Sequence, residues 1–251
     1  MNLPPYESIH LARSPLVLVA AQINFEEVTT NVAHFQARAV QRAVALDVWS
    51  KLQAAPQIRT TFTPAGAVNE PNRQAYRLLS KDEAWSLVIN PDSVILETRE
   101  YAGWTLMAER LGSAAQAVAA VFDPAQRLRL GLRYVDQIPL PEGWSSWEGL
   151  IPEALLGLSR HETFKDHILG SEQRHLLQID ETARCMLRHG LLPDDDQRPV
   201  QAYLLDYDVF DDTAESFEPS DVATCAKRLH DYAGSLFRIS LTDDLYEWLK
   251  G

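Results

Sequence analysis

Two aspartates on one predicted strand are the clearest candidates for chemistry in this chain. The segment YLLDYDVFDD, residues 203–212, alternates so that Asp206 and Asp208 share one face while the opposite face is apolar. Two carboxylates that point the same way can hold a divalent cation. A metal-dependent nuclease would need further acids, such as Asp180 or the run at 194–196, brought close by the fold. The alternative is that these aspartates neutralise arginines or face water.

A second predicted strand, residues 127–138, carries positive charge on one face, where Arg127, Arg129 and Arg133 lie. Its opposite face is apolar and carries Leu128, Leu130, Leu132 and Tyr134. If the two charged strands are neighbours, Arg129 or Arg133 meets Asp206 or Asp208 across the outer face of the sheet. Such a pairing sets register more than stability unless a partner molecule covers it. We therefore predict that these four residues bind a partner.

Two tryptophans lie in the loop predicted at residues 139–149. Tryptophan is enriched among the side chains that dominate protein–protein binding, so Trp144 and Trp147 are candidate binding residues. They are equally well explained as a cover over one end of the core. The sequence leaves both explanations open.

Motifs of several enzyme classes are missing from the sequence. The chain has no P-loop, no GxGxxG after a strand and no GxSxG. His175 and His189 fall on a predicted hairpin whose turn at 180–182 would place them on opposite faces of the sheet. We accordingly predict no catalytic residues, no metal and no cofactor.

Composition and charge constrain the partner and the compartment. The formal net charge is −12, from 35 acidic and 23 basic residues, which disfavours general binding to duplex nucleic acid. It is compatible with a basic protein partner. Cys185 and Cys225 match no metal-binding spacing and are expected to be reduced core thiols of a cytoplasmic protein. No stretch is long enough to cross a membrane, so no membrane association is expected.

The order of predicted elements repeats along the chain. Strand, helix, three strands and helix occupy residues 15–122, and the same order recurs over 126–238. A faint echo links LLSKDEA at 78–84 with LQIDETA at 177–183. We predict an α+β fold with mainly antiparallel sheet and an internal duplication, with repeats 1–125 and 126–251 packed as one compact unit. A short helix capped by Thr242 ends the chain.

Three local assignments complete the expected fold. An alanine-rich pattern predicts one helix over residues 34–52. Residues 56–72 are expected to be a polar loop that contains proline. A capping-box pattern at 159–162 predicts a short helix that ends near Gly170.

Several short segments occur along the chain in a fixed order. They are LVLVAAQINF at 16–25, YAGW at 101–104, GLRYV at 131–135, LDYDVF at 205–210, and His230 before FRIS at 237–240. In that order they resemble a sporadically distributed family of bacterial proteins of unknown function, which has a similar YxGW-like turn, a GLRY strand and an LDxDxF strand. The resemblance covers most of the chain. It carries no catalytic residues with it, and the family's patchy distribution resembles that of defence systems, toxin–antitoxin pairs and mobile-element cargo.

The sequence therefore favours a cytoplasmic, non-enzymatic protein-binding or regulatory component, with a protein partner that is encoded nearby in a bacterial defence-type or toxin–antitoxin-type system. One alternative is a metal-dependent enzyme that acts on nucleic acid or nucleotides at Asp206 and Asp208. Another is a small-molecule sensor with a pocket between the two repeats.

Overall fold

The computed structural model describes residues 1–45, 47–55, 73–192 and 201–251, and the backbone alone at 60–63 and 66–69. It is an α+β protein with a mainly antiparallel open sheet. No helix in these ranges is both long and apolar enough to cross a bilayer. The predicted fold class is confirmed at this level.

The described residues form twelve strands. They are β1 (Leu16–Phe25), β2 (Lys51–Ala54), β3 (Thr60–Thr63), β4 (Gly66–Asn69), β5 (Tyr76–Leu79), β6 (Trp85–Ile89), β7 (Ser93–Thr98), β8 (Gln126–Pro139), β9 (Gln173–Gln178), β10 (Ala183–Leu192), β11 (Ala202–Asp211) and β12 (Glu215–Ser216).

Five α-helices accompany these strands in the described residues. They are α1 (His34–Ala43), α2 (Trp104–Phe122), α3 (Glu153–Leu156), α4 (Pro219–Ile239) and α5 (Asp243–Lys250). The predicted cap of the last helix is present, since Thr242 Oγ1 accepts a hydrogen bond from the Leu245 amide at 3.3 Å.

Ten strands form one sheet. Nine of them follow the order β2-β5-β6-β7-β1-β8-β11-β10-β9, and β12 pairs with β8 off this path. The remaining two, β3 and β4, form a separate antiparallel hairpin. Within this order, the strands of the first half run β5-β6-β7-β1 and those of the second half run β9-β10-β11-β8. The internal duplication itself stays a prediction.

The chain folds into two compact units that are interleaved in sequence. Unit 1 comprises residues 1–19, 132–211 and 228–251, and unit 2 comprises residues 20–131 and 212–227. The core of unit 1 is made by buried side chains of β8, β10, β11 and α4, including Leu132, Leu187, Leu205, Tyr207, Leu229 and Leu236. The core of unit 2 is made by α1, α2 and their neighbouring strands, including Val40, Leu78, Leu87, Leu96, Met107 and Leu111. The predicted repeats, 1–125 and 126–251, have different bounds and remain a prediction.

The helix predicted over residues 34–52 is too long. It ends at Ala43, and Ala45 takes the left-handed conformation with φ of 76°, which stops the helix. The Gln41 amide then donates to the Trp49 carbonyl at 2.6 Å, which fixes the turn that leads into β2. The alanine-rich stretch keeps a helical periodicity beyond Ala43, so the end of the helix was not evident from the sequence.

Two other local predictions also fail. The loop predicted at residues 56–72 falls partly outside the described residues, but the described backbone forms the β3–β4 hairpin. The helix predicted from the capping box at 159–162 is replaced by two 3₁₀ turns, Gly157–Arg160 and Lys165–His167. Extended backbone at His161 separates these turns, and so few residues give little cooperative helix stability.

Candidate functional site

The predicted meeting of the two charged strands is present in unit 1. Arg133 on β8 donates from Nε and Nη2 to the two carboxylate oxygens of Asp206 on β11, at 2.8 and 2.7 Å. Arg188 on β10 adds a hydrogen bond from Nη1 to Asp206 Oδ2 at 3.1 Å. The Asp206 side chain is 3% exposed, against 42% for Arg133 and 31% for Arg188. Two half-exposed guanidiniums therefore neutralise one buried carboxylate.

The same network continues to the edge of the sheet. Arg188 Nη2 donates to Glu172 Oε2 at 3.2 Å, and Arg174 Nε donates to Glu172 Oε1 at 2.6 Å. Strand register explains the order, because Arg188 stands directly opposite Asp206 on one side and Arg174 on the other. We call these five residues, Arg133, Asp206, Arg188, Glu172 and Arg174, the charged row.

Hydrogen bonds within the row shift the pKa values of two of its members, Arg133 and Glu172. Hydrogen bonding to Asp206 raises the pKa of Arg133, and Arg174 and Arg188 lower the pKa of Glu172 through their hydrogen bonds. Positive charge already surrounds Asp206, which opposes the approach of a metal cation. Among the residues that the structure describes, no three His, Cys, Asp or Glu side chains are close enough together to hold a metal ion.

Arg129 and Asp208 contribute differently from Arg133 and Asp206. The guanidinium of Arg129 lies over Gly131, where a side chain on residue 131 would collide with it. Asp208 is half-buried opposite Met186, and its charge adds to the raised pKa of Arg133. The bidentate contact is made by Arg133 and Asp206.

At the start of β8 the predicted facing of side chains is wrong. Arg127 was expected on the charged outer face and Leu128 on the apolar face, but Arg127 is buried and Leu128 is exposed. β12 pairs with β8 here and places Glu215 opposite Arg127, where the two side chains form an ion pair. This neutralisation makes burial of the arginine possible.

The two tryptophans have different roles. Trp147 is 4% exposed, donates from Nε1 to Gln201 Oε1 at 2.9 Å, and packs against Tyr203 with ring centroids 5.5 Å apart. Trp144 is 41% exposed. Trp147 therefore belongs to the core, and Trp144 is the one that presents its ring to solvent.

Trp144 begins a segment rich in exposed apolar side chains. Ten large hydrophobic residues are exposed in the described parts of the chain, and five of them lie in the 33 residues from 144 to 176. These five are Trp144, Leu158, Phe164, Leu169 and Leu176. We call them the apolar segment. The exposure of the apolar segment could not be predicted from composition, because it depends on whether another element of the fold covers these side chains.

His175 and His189 lie on the same face of the β9–β10 hairpin, contrary to the prediction. Gln173 pairs with His189 and Leu187 pairs with His175, so the two histidines are diagonal neighbours, with ring centroids 5.3 Å apart. His189 Nδ1 lies 2.9 Å from the Tyr203 hydroxyl, which donates to the Leu155 carbonyl at 3.0 Å. Burial, reinforced by His175, lowers the pKa of His189.

Sequence reasoning missed Asp136, which is buried on β8 in the row of Leu132 and Tyr134. Burial, together with the negative charge of Asp206, raises the pKa of Asp136 to about 8. The signal was visible in the sequence, since Asp136 falls on the apolar side of the strand's alternation.

A polar cleft of about 150 Å³ lies within unit 2. Its lining includes Gln22 and Asn24 of β1 and Asn90, Asp92 and Ser93 at the β6–β7 turn. The small-molecule alternative expected a pocket between the repeats, whereas this cleft lies inside one unit. Its volume is small for a ligand pocket, which normally measures about 300–1,000 Å³.

Comparison with protein-family models and with curated proteins found no match.

Proposed function

We propose that this protein is a non-enzymatic protein-binding or regulatory component that binds its partner through unit 1. What carries the proposal is the apolar segment, which holds half of the exposed large hydrophobic side chains described. A contiguous patch of exposed apolar side chains is typical of protein interaction sites, and the proposal takes these five residues, close in sequence, to form one. Exposure of apolar side chains to water is unfavourable, and their burial by a partner lowers the free energy of the complex.

The charged row supports the same assignment. On β9 the exposed Leu176 shares its face with Arg174, one end of the row. Apolar side chains bordered by charged and polar ones are the usual composition of an interface and its rim. Trp144 adds a side chain type that is frequent in binding hot spots.

The cellular setting rests on the sequence resemblance. In a bacterial defence-type or toxin–antitoxin-type system, the partner is encoded by a neighbouring gene. The two cysteines are free, as is usual for proteins in the reducing cytoplasm.

Co-expression with the neighbouring genes tests the proposal. We expect a neighbouring gene product to co-purify with the wild-type chain and to be lost from the triple variant Leu158→Ser, Phe164→Ser, Leu169→Ser. Phe35→Ser is the control, because the exposure of Phe35, 73%, falls within the range of 45–86% of the three substituted residues, but Phe35 lies in unit 2. Loss of the partner from the control as well, or its retention by the triple variant, contradicts the proposal.

We further propose that the chain arose by duplication of one α+β repeat. The matching strand orders of the two halves support this, although α1 has ten residues and α3 only four. In an experimental structure, residues 16–122 should superpose on 126–239 with α2 on α4. Superposition that matches the strands in a different order contradicts the duplication.

A further inference from the structure

The last strand of the sheet, β9, has a backbone edge that faces away from β10. Ser171 N donates to the Leu191 carbonyl and Ile179 N donates to the Ala183 carbonyl, both at 2.9 Å and both in the register of the β9–β10 pair. Antiparallel pairing alternates, so odd-numbered residues of β9 bond to β10. The N–H and C=O groups of Arg174, Leu176 and Gln178 therefore point outward. In the described chain no backbone hydrogen bond reaches these groups.

This edge has few of the features that normally prevent strand addition. Its six residues pair with β10 one to one, without a bulge, and none of them is proline. Edge strands are commonly protected by prolines, bulges, covering elements or charged side chains, and of these β9 has only the charged Arg174. Leu176 is 61% exposed on this strand, so the edge carries an apolar contact beside its free backbone groups.

The charge around the edge selects the partner. Arg174, Arg184 and Arg188 share the outer face of β9 and β10, and Arg174 stands directly opposite Arg188. Like charges opposed across strands are destabilising, and Glu172 is the carboxylate that bridges this pair. The charged row has three arginines and two carboxylates, so a carboxylate of an added strand beside Arg174 would balance its excess positive charge.

We propose that β9 accepts an extended segment of a partner protein as an additional strand, with acidic side chains beside Arg174 and an apolar side chain beside Leu176. The inference rests on the proposed function and names the chemistry of its partner. A second copy of the chain fits less well, because β9 (QRHLLQ) contains no acidic residue to place beside Arg174. Addition of a strand to an exposed edge is an established way for proteins to bind extended peptides.

The probe for a first test is the blocked heptapeptide TETVTET, which carries glutamate and valine two residues apart on one strand face, with TKTVTKT, in which lysine replaces glutamate, as its counterpart. We expect the glutamate peptide to bind the wild-type chain at least tenfold more tightly than the lysine peptide and to slow amide hydrogen exchange at Arg174, Leu176 and Gln178. Arg174→Glu should reverse the preference between the peptides. Equal binding of both peptides, or protection that omits these amides, overturns the proposal.

Proline at the edge gives a sharper comparison. Leu176→Pro removes an outward N–H without removing a bond to β10, and Leu176→Ala keeps that N–H. The alanine variant should bind the glutamate peptide within about threefold of the wild-type affinity, because it loses only a side-chain contact. The proline variant should bind the peptide at least tenfold more weakly than the alanine variant does. If the proline variant does not fold, the Arg174→Glu reversal decides. Equal affinity of folded proline and alanine variants overturns strand addition.

Two further results separate this inference from the proposed function. If a co-purified partner protects residues 158–169 but not the outward amides of β9, partner binding stands and strand addition fails. If the glutamate peptide binds at β9 but no partner co-purifies, strand addition stands and the proposed function fails. Self-association that protects the β9 amides without peptide identifies a second copy as the occupant and overturns the acidic-strand assignment.

Discussion

Asp206 is buried, and its two arginine partners are half-exposed, so the three residues are not equivalent. Removing an arginine leaves a carboxylate with little access to water and fewer partners. Removing the carboxylate leaves two guanidiniums that can turn toward solvent. The cost of a substitution therefore depends on which member is lost.

The first prediction is a double-mutant cycle at this pair. Arg133→Ala should reduce the free energy of unfolding by about 1–3 kcal/mol, and Asp206→Ala by less. The double variant should be less destabilised than the sum, with a coupling of about 1–2 kcal/mol in urea unfolding. As a control, Lys51→Ala in the exposed Lys51–Glu83 pair should change stability by less than about 1 kcal/mol. Two single variants that unfold like wild type would show that the charged row is merely solvated.

The second prediction concerns pH and Asp136. The folded protein holds this proton up to about pH 8, whereas an ordinary aspartate releases it near 3.8. Its stabilising contribution is therefore complete below about pH 4 and is lost as the pH rises toward 8. The wild type should lose stability relative to Asp136→Asn over this window, by up to about 1.4 kcal/mol per pH unit. Parallel curves of unfolding free energy against pH for the two proteins would contradict the raised pKa.

At the scale of elements, strands were more predictable than the contacts between them. Alternation located β8 and β11 within two residues, because burial of one face imposes a period of two. The Arg133–Asp206 contact also followed, once β8 and β11 were assumed to be neighbours. Arg188 was missed because its place opposite Asp206 depends on the register of β10 with β11, which local sequence does not determine.

Helix α4 is attached to the β9–β10 turn by a small network. Asp180 Oδ1 accepts from the amides of Thr182 and Ala183, at 2.8 and 2.6 Å. Asp180 Oδ2 accepts from Arg228 at 3.2 Å and from the Tyr232 hydroxyl at 2.8 Å. Burial opposes ionisation of Asp180, but these hydrogen bonds outweigh it and hold its pKa below the usual value.

The third prediction separates the two functions of this carboxylate. Asp180→Ala removes both the turn contacts and the attachment of α4, and should cost about 2–3 kcal/mol. Asp180→Asn keeps an oxygen for the turn amides but loses the charge, and should cost about half as much. Chemical denaturation measures both. Equal losses for the two variants would show that the turn contacts contribute nothing measurable.

At the scale of the whole molecule, charge is unevenly distributed. The chain has a net charge of −12, yet arginines concentrate on the outer face of β9 and β10. The net charge follows from composition alone. The clustering of arginines depends on strand register and could not be predicted from the sequence, and neither could the exposure of the apolar segment.

The fourth prediction follows from the net charge. The isolated protein should bind random duplex DNA poorly at physiological salt, because phosphate-backbone affinity requires many accessible cations. Fluorescence anisotropy across a salt series measures this. A submicromolar affinity that falls steeply with salt would reveal that the arginines of β9 and β10 serve nucleic acid instead of protein.

The central claim is that unit 1 binds a protein partner through the apolar segment and the adjoining β9. Hydrogen exchange measured by mass spectrometry, on the chain alone and in complex with its co-purified partner, tests it most directly. We predict slower exchange within residues 144–178 on binding and unchanged exchange in α1 and α2 of unit 2. Protection confined to unit 2, with residues 144–178 exchanging as in the free chain, would contradict the claim.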